Sequence, residues 1–197
     1  MKKVVNVLIF LITIFVVILL FLFVRIRGSV KVSPNEDILI TENIVFFRQD
    51  DTAWAEDKLG TSKYTIGSSG CLVSCIASGL SMCGPVITPG EFNQIHGDEI
   101  YDGEGNLLWG KLEECSDYSV TVYSQLSEEI LMDCLIEEIF PIVRVRMNGI
   151  GNFHYVLIVK AEEGMFYCMD PLKDGLIPLS KYGNRIYAIR AVYNTNN

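Results

Sequence analysis

The chain has 197 residues, with 16 Lys and Arg set against 24 Asp and Glu, for a formal net charge of −8 at neutral pH. That balance, with no basic stripe along the sequence, argues against nucleic acid as a partner. The length suits one globular domain plus an appendage, and 50% hydrophobic residues are enough to fill its core.

The appendage comes first. Val4 to Val24 runs without a charge, and Asn6 and Thr13 are its only polar residues. At 1.5 Å rise per residue such a helix is about 30 Å long, the thickness of a hydrocarbon core. Met1-Lys2-Lys3 precedes it, and Arg25, Arg27 and Lys31 follow. A secretory signal has a shorter apolar region and a small-residue cleavage site. Residues 4–24 therefore read as an uncleaved single-pass membrane anchor. Its basic flanks are nearly balanced, so the positive-inside rule gives little direction. A very short basic N-tail favours the cytoplasm for itself and the extracellular side of the cell membrane for the domain. The expected division is 1–31 for the anchor, 32–43 for a linker around Ser33-Pro34-Asn35-Glu36-Asp37, and 44–197 for the domain.

Within the domain, residues 38–47 are β-rich and lead into Gln49-Asp50-Asp51-Thr52-Ala53-Trp54. Thr65-Ile66-Gly67-Ser68-Ser69-Gly70 is a loop of small residues ending at Cys71. From Leu72 to Met82 apolar residues cover nearly every helical face, which marks a buried central helix too short to span a bilayer. Cys71 would open that helix, where free N–H groups and the helix dipole favour a thiolate. Thr88-Pro89-Gly90-Glu91 is a capping box with proline at the first helical position, followed by a helix through His96 with Gly97 as its stop. His96 then lies in the last turn, serving the dipole. Gly97 to Gly110 reads as a surface loop whose acidic residues lack calcium-loop spacing. Ser127 caps a helix from Glu128 to about Ile139. Four β-like segments follow: 141–147, 154–160, 165–170 and 185–193. Helices first and an antiparallel sheet last make an α+β arrangement, with the Cys71 helix packed on the sheet.

His154 begins one of these strands and Asp170 ends the next. If the hairpin pairs Lys160 with about Met165, His154 falls opposite Asp170 or its neighbour, on one face. A carboxylate there holds the imidazole by one nitrogen and leaves the other free, as a cysteine–histidine pair requires. A hairpin with polar ends satisfies the same pattern, and it is Cys71 on the preceding helix that favours the functional reading. Cys75, Cys83, Cys134 and Cys168 fit apolar patterns and read as buried thiols. The Cys71, Cys75, Cys83, His96 spacing matches no zinc site, so no metal and no cofactor is expected. Trp54, Trp109 and Tyr155 read as packing residues. No G-x-S-x-G elbow and no dinucleotide or phosphate-loop glycine pattern occurs.

The elements Gln49 to Trp54, Thr65 to Cys71, His154 to Val159 and Asp170-Pro171 together resemble the C39-like peptidases of the papain-like superfamily, over roughly residues 44–193. The resemblance implies a papain-like fold, a Cys71 nucleophile, a His154 base, an orienting Asp170, and Gln49 in an oxyanion hole. Its expected partner is a peptide or protein substrate. Two departures stand out. No transporter domain follows, so leader-peptide processing does not carry over. In addition, Ile139-Phe140-Pro141 replaces the Gly-x-Pro often found before the strand that precedes the histidine. A binding module with an idle dyad, and a thiol acyltransferase, remain as alternative readings.

Overall fold

A computed structural model describes residues 2–39 and 44–194 of the chain. Helix α1 (Lys2–Ile26) contains an 18-residue stretch with a mean hydropathy of 3.6 and has no buried residue. It is long and apolar enough to cross a membrane, a property that signal sequences near an N-terminus share. The short strand β1 (Val30–Lys31) follows. Next in chain order come α2 (Ile66–Ser69), α3 (Cys71–Met82), α4 (Pro89–Ile100) and α5 (Trp109–Glu114). Strand β2 (Tyr118–Val122) and helix α6 (Glu128–Ile136) lead into β3 (Ile142–Arg146), β4 (Phe153–Glu162), β5 (Met165–Met169), β6 (Leu176–Pro178), β7 (Arg185–Ile186) and β8 (Ala188–Asn194).

Six strands form one antiparallel sheet in the order β2-β8-β3-β4-β5-β6, and β1 pairs separately with β7. The α+β arrangement of helices before sheet is the expected one. Strands β2 and β6 were not among the expected segments: β6 is only three residues long, whereas Tyr118-Ser119-Val120-Thr121-Val122 does alternate and carried a readable strand signal. The expected segment 185–193 is broken in two at Tyr187, whose N–H leaves the ladder to donate to the Arg144 carbonyl at 2.8 Å. Residues 40–43 of the expected β segment 38–47 lie outside the described residues. The described part contributes a single bridge, Ile38 to Ala161, and no strand.

Helix α3 packs against β4, β8 and β3 at the centre of the core. Val73 to Ser81 are all buried, as a helix with apolar residues on every face requires. Ser78 Oγ accepts the Phe47 N–H at 3.1 Å, and Gly79 brings the helix close to the fully buried Leu157 on β4.

Two helix ends differ from expectation. Thr88 and Glu91 form the capping box, with Glu91 N to Thr88 Oγ1 at 3.2 Å and Thr88 N to Glu91 Oε2 at 2.9 Å. Helix α4, however, runs through Gly97 to Ile100. Gly97 costs a helix interior about 1 kcal/mol, and complete burial of Ile100 outweighs that loss. His96 therefore sits inside the helix, buried between Phe92 and Tyr118 at ring distances of 5.0 and 5.8 Å, where burial lowers its pKa. Helix α6 stops at Ile136, because Glu138 at φ 57° reverses the chain.

The contact of α3 with the sheet yields a test. Leu157→Ala is expected to cost about 2–5 kcal/mol of stability, read as a lower urea midpoint. A loss below about 1 kcal/mol would show that α3 does not depend on this contact.

Candidate active site

Cys71 is set by local chemistry. Thr65 and Ser68 form a capping box around α2, with Thr65 N donating to Ser68 Oγ at 2.9 Å and Ser68 N to Thr65 Oγ1 at 3.3 Å. The chain then turns through Gly70 so tightly that a Cβ there would lie 2.5 Å from the Ile66 carbonyl oxygen. Only glycine fits that approach, and the next residue, Cys71, opens α3 half-exposed. Cys75 follows one turn later and is completely buried. Burial, reinforced by the Cys71 charge, pushes its thiol well above the ordinary range.

His154 and Asp170 meet through a β-bulge. Near the turn Glu163-Gly164, both at positive φ, Glu162 pairs with Met165 and Lys160 with Tyr167. The expected pairing of Lys160 with Met165 is displaced by two residues on β5. Had the observed register continued, Asp170 would fall opposite Leu157, on the face away from His154. The ladder shifts between Ile158 and Lys160, leaving one extra residue on β4. Beyond the shift Leu157 pairs with Met169, so Asp170 shares the His154 face as a diagonal neighbour. His154 Nε2 and Asp170 Oδ1 are 2.6 Å apart, both almost fully buried. The Cys71 thiol is close enough to His154 to favour the charged imidazole.

Asp170 is held by more than His154. Leu172 N donates to Oδ1 at 2.9 Å, and the Tyr182 hydroxyl donates to Oδ2. Burial pushes the Asp170 carboxyl up, but the bond to His154, its charge and these two donors hold it below the ordinary range. Burial likewise works against a charged His154, and the bonds to Asp170 and Cys71 overcome it to raise its pKa to about 9. Tyr182 is a partner of Asp170 that sequence reasoning missed. It sits in the 3-10 turn Leu179–Tyr182 before Gly183, and nothing in its local sequence marks a carboxylate partner.

Gln49 is buried between the two halves of this cluster. Its backbone N–H donates to the Pro171 carbonyl at 3.0 Å, and its Nε2 donates to the Gly67 carbonyl at 2.8 Å, with Oε1 unpaired. One Nε2 hydrogen thus braces the loop ahead of Cys71, and the second is free for another acceptor.

The exposed side of Cys71 opens into a cleft of about 460 Å³. Its wall includes Tyr101, Asn106 and Leu107 from the segment between α4 and α5, and Phe153 at the start of β4. Trp109 and Tyr155 pack against the core as expected and also line this cleft; Trp54 packs edge-on against Phe47 at 5.8 Å. Asp102 is more than a solvated loop acid: its Oδ1 accepts the Glu104 and Asn106 N–H groups at 2.9 and 2.8 Å, fixing the loop. Among the described residues no cysteine is joined in a disulfide, and Cys83 is half-buried rather than buried. No group of three His, Cys, Asp or Glu residues among them is placed to hold a metal ion.

No family model matches this sequence, and no curated protein matches it. Among solved structures, the chain is similar to a crystal structure of a "putative C39-like peptidase" from Bacillus anthracis. The likeness has a TM-score of 0.55 and 16% identity, covering 80% of this chain and 98% of the other. At that identity it speaks for a shared fold.

Two outcomes follow from the electrostatics. The stabilisation from the raised His154 pKa is complete below pH 6.5 and is lost as pH rises through about 9. The Asp170 contribution runs the other way, present above its unfolded value of 3.8 and lost as pH falls through the lowered folded one. The advantage in Tm of the wild type over His154→Gln is therefore expected to shrink between pH 6.5 and about 9; a constant gap would contradict the ion pair. Tyr182→Phe removes a hydrogen bond to a charged group and is expected to cost about 1.5–3 kcal/mol in urea unfolding. An unchanged midpoint would mean that Asp170 does not depend on that hydroxyl.

Proposed function

We propose that the chain is a membrane-anchored thiol hydrolase of papain-like fold that cleaves peptide or isopeptide bonds, with Cys71 as nucleophile. The observation that carries this reading is the buried His154 imidazole bonded to the Asp170 carboxylate, with the half-exposed Cys71 thiol of the cleft near enough to favour its charged form. The chain is anchored through residues 4–24 in the cell membrane, with the domain on the extracellular side.

In this mechanism His154 takes the thiol proton of Cys71, and the thiolate adds to the substrate carbonyl. The negative charge that develops on oxygen is met by the Cys71 backbone N–H at the start of α3 and by the second Nε2 hydrogen of Gln49. His154 returns the proton to the leaving amine, and an acyl-enzyme remains on Cys71. Water, deprotonated by His154, then releases the acid. Asp170, anionic and held by Leu172 and Tyr182, keeps the imidazole oriented and its positive charge stabilised. An amine in place of that water makes the same site an acyltransferase.

One observation favours a second reading. The Gln49 amide is already bonded to the Gly67 carbonyl, an arrangement that serves an idle binding module as well as an oxyanion hole.

Acylation by p-nitrophenyl acetate separates these readings without knowledge of the substrate. The acetyl group is expected on Cys71 by mass spectrometry, lost in Cys71→Ala and retained in Cys75→Ala. Acetylation of Cys75 would overturn the assignment, and no acylation of any thiol would favour the binding module.

A further inference from the structure

The charges of this protein are segregated along the chain. Residues 1–35, 139–161 and 175–197 contain eleven of the sixteen Lys and Arg and none of the twenty-four Asp and Glu. The fold brings these three acid-free segments together where α1 ends. Strand β1 pairs with β7, placing Lys31 beside Arg185, and Val32 N donates to the Asn184 carbonyl at 2.9 Å. The Arg25 carbonyl, in the last turn of α1, accepts from Arg146 Nε at 2.9 Å and from the Tyr187 hydroxyl at 2.8 Å. Arg185 Nη1 donates to Ser29 Oγ at 3.2 Å.

The cations gathered there are not neutralised. Among the described residues, none of Arg25, Arg27, Lys31, Arg144, Arg146 and Arg185 forms a salt bridge with a carboxylate; the pairs present involve Arg48, Lys111, His154 and Lys160. Just beyond β1, Glu128 accepts the Ser33 N–H at 3.4 Å. Aromatic rings hold two of the guanidiniums instead. Arg144 and Arg146 lie 4.3 and 3.9 Å from the Phe153 ring centre, and Phe153 packs edge-on against Tyr187 at 5.2 Å. Exposed apolar side chains share the face: Phe153 at 46%, Ile150 at 41%, Val30 at 37% and Ile26 at 36%. Unneutralised cations interleaved with exposed aromatic and aliphatic groups match the headgroup level of a bilayer, where cations meet phosphates and rings bury their edges.

We infer that this face lies flat on the bilayer that α1 enters and binds anionic phospholipid headgroups. The inference rests on α1 being a membrane span. It does not require Cys71 to be a nucleophile. Charge complementarity and continuity with α1 choose the occupant, because no nucleic acid can reach a face that the anchor holds against lipid. Phe153 also lines the Cys71 cleft, so docking sets one wall of that cleft at the lipid surface.

The test uses the full chain reconstituted in phosphatidylcholine vesicles with and without phosphatidylglycerol. Hydrogen exchange of residues 147–153 and 185–187 is read by mass spectrometry, after confirming that alkaline carbonate leaves the chain in the membrane. Slower exchange with phosphatidylglycerol, reversed by high salt, is the expected result. In Arg27→Gln and Lys31→Gln, two exposed positions, the docked-to-free ratio is expected to fall about five-fold per cation removed. Equal exchange in both vesicle types, in a carbonate-resistant chain, would overturn the docking. Release by carbonate would overturn the anchor and the docking together. Neither result bears on acylation of Cys71, so the enzymatic reading stands or falls apart from this one.

Discussion

The buried carboxylate of Asp170 is the constraint on which the rest of the site depends. A carboxylate removed from water is costly unless its oxygens are paired. Here Leu172 N–H and the His154 ring share one oxygen, and the Tyr182 hydroxyl takes the other. Those donors come from separate parts of the chain: the strand β4, the turn after β5, and the 3-10 turn before β7. Satisfying one charge therefore ties three segments to the face on which α3 rests. Against the opposing effect of burial, the bond to this carboxylate, together with the nearby Cys71, raises the His154 pKa to about 9. Stability and site geometry are thus set by one group.

Cys71 depends on a separate set of local constraints. The capping box of Thr65 and Ser68 and the absent side chain of Gly70 place the chain so that α3 begins at the cysteine. The burial of α3 on every face keeps it rigid against β4. Gln49 connects the two systems, bonding to Gly67 ahead of Cys71 and to Pro171 after Asp170. A loop, a core helix and a hairpin are in this way brought to one point.

Much of this was legible in the sequence where local rules suffice. The all-round apolar pattern marked α3, Thr88 and Glu91 marked the start of α4, and the turn residues marked the hairpin. What was not legible depended on tertiary packing. Burial of Ile100 carried α4 past a glycine that local rules read as a stop. The bulge on β4 changed which face Asp170 occupies, and no local signal in Ile158-Val159-Lys160 announces it. Tyr182 took its place beside Asp170 through a contact between segments distant in sequence. The basic face was invisible as a stripe because its cations are scattered singly over three segments, and only the pairing of β1 with β7 and the seating of α1 collects them.

The central claim is that His154 and Cys71 work as a pair. Its most direct measurement is the rate of iodoacetamide alkylation of Cys71 in the full chain as a function of pH, in the wild type and in His154→Ala. The thiolate is the reactive species, and an imidazolium beside it favours that form in acid. Fast labelling of Cys71 at mildly acidic pH, lost in His154→Ala while buried Cys75 stays unlabelled in both, is the result this account predicts. Slow labelling that rises only in alkali, identical in the two proteins, would contradict it.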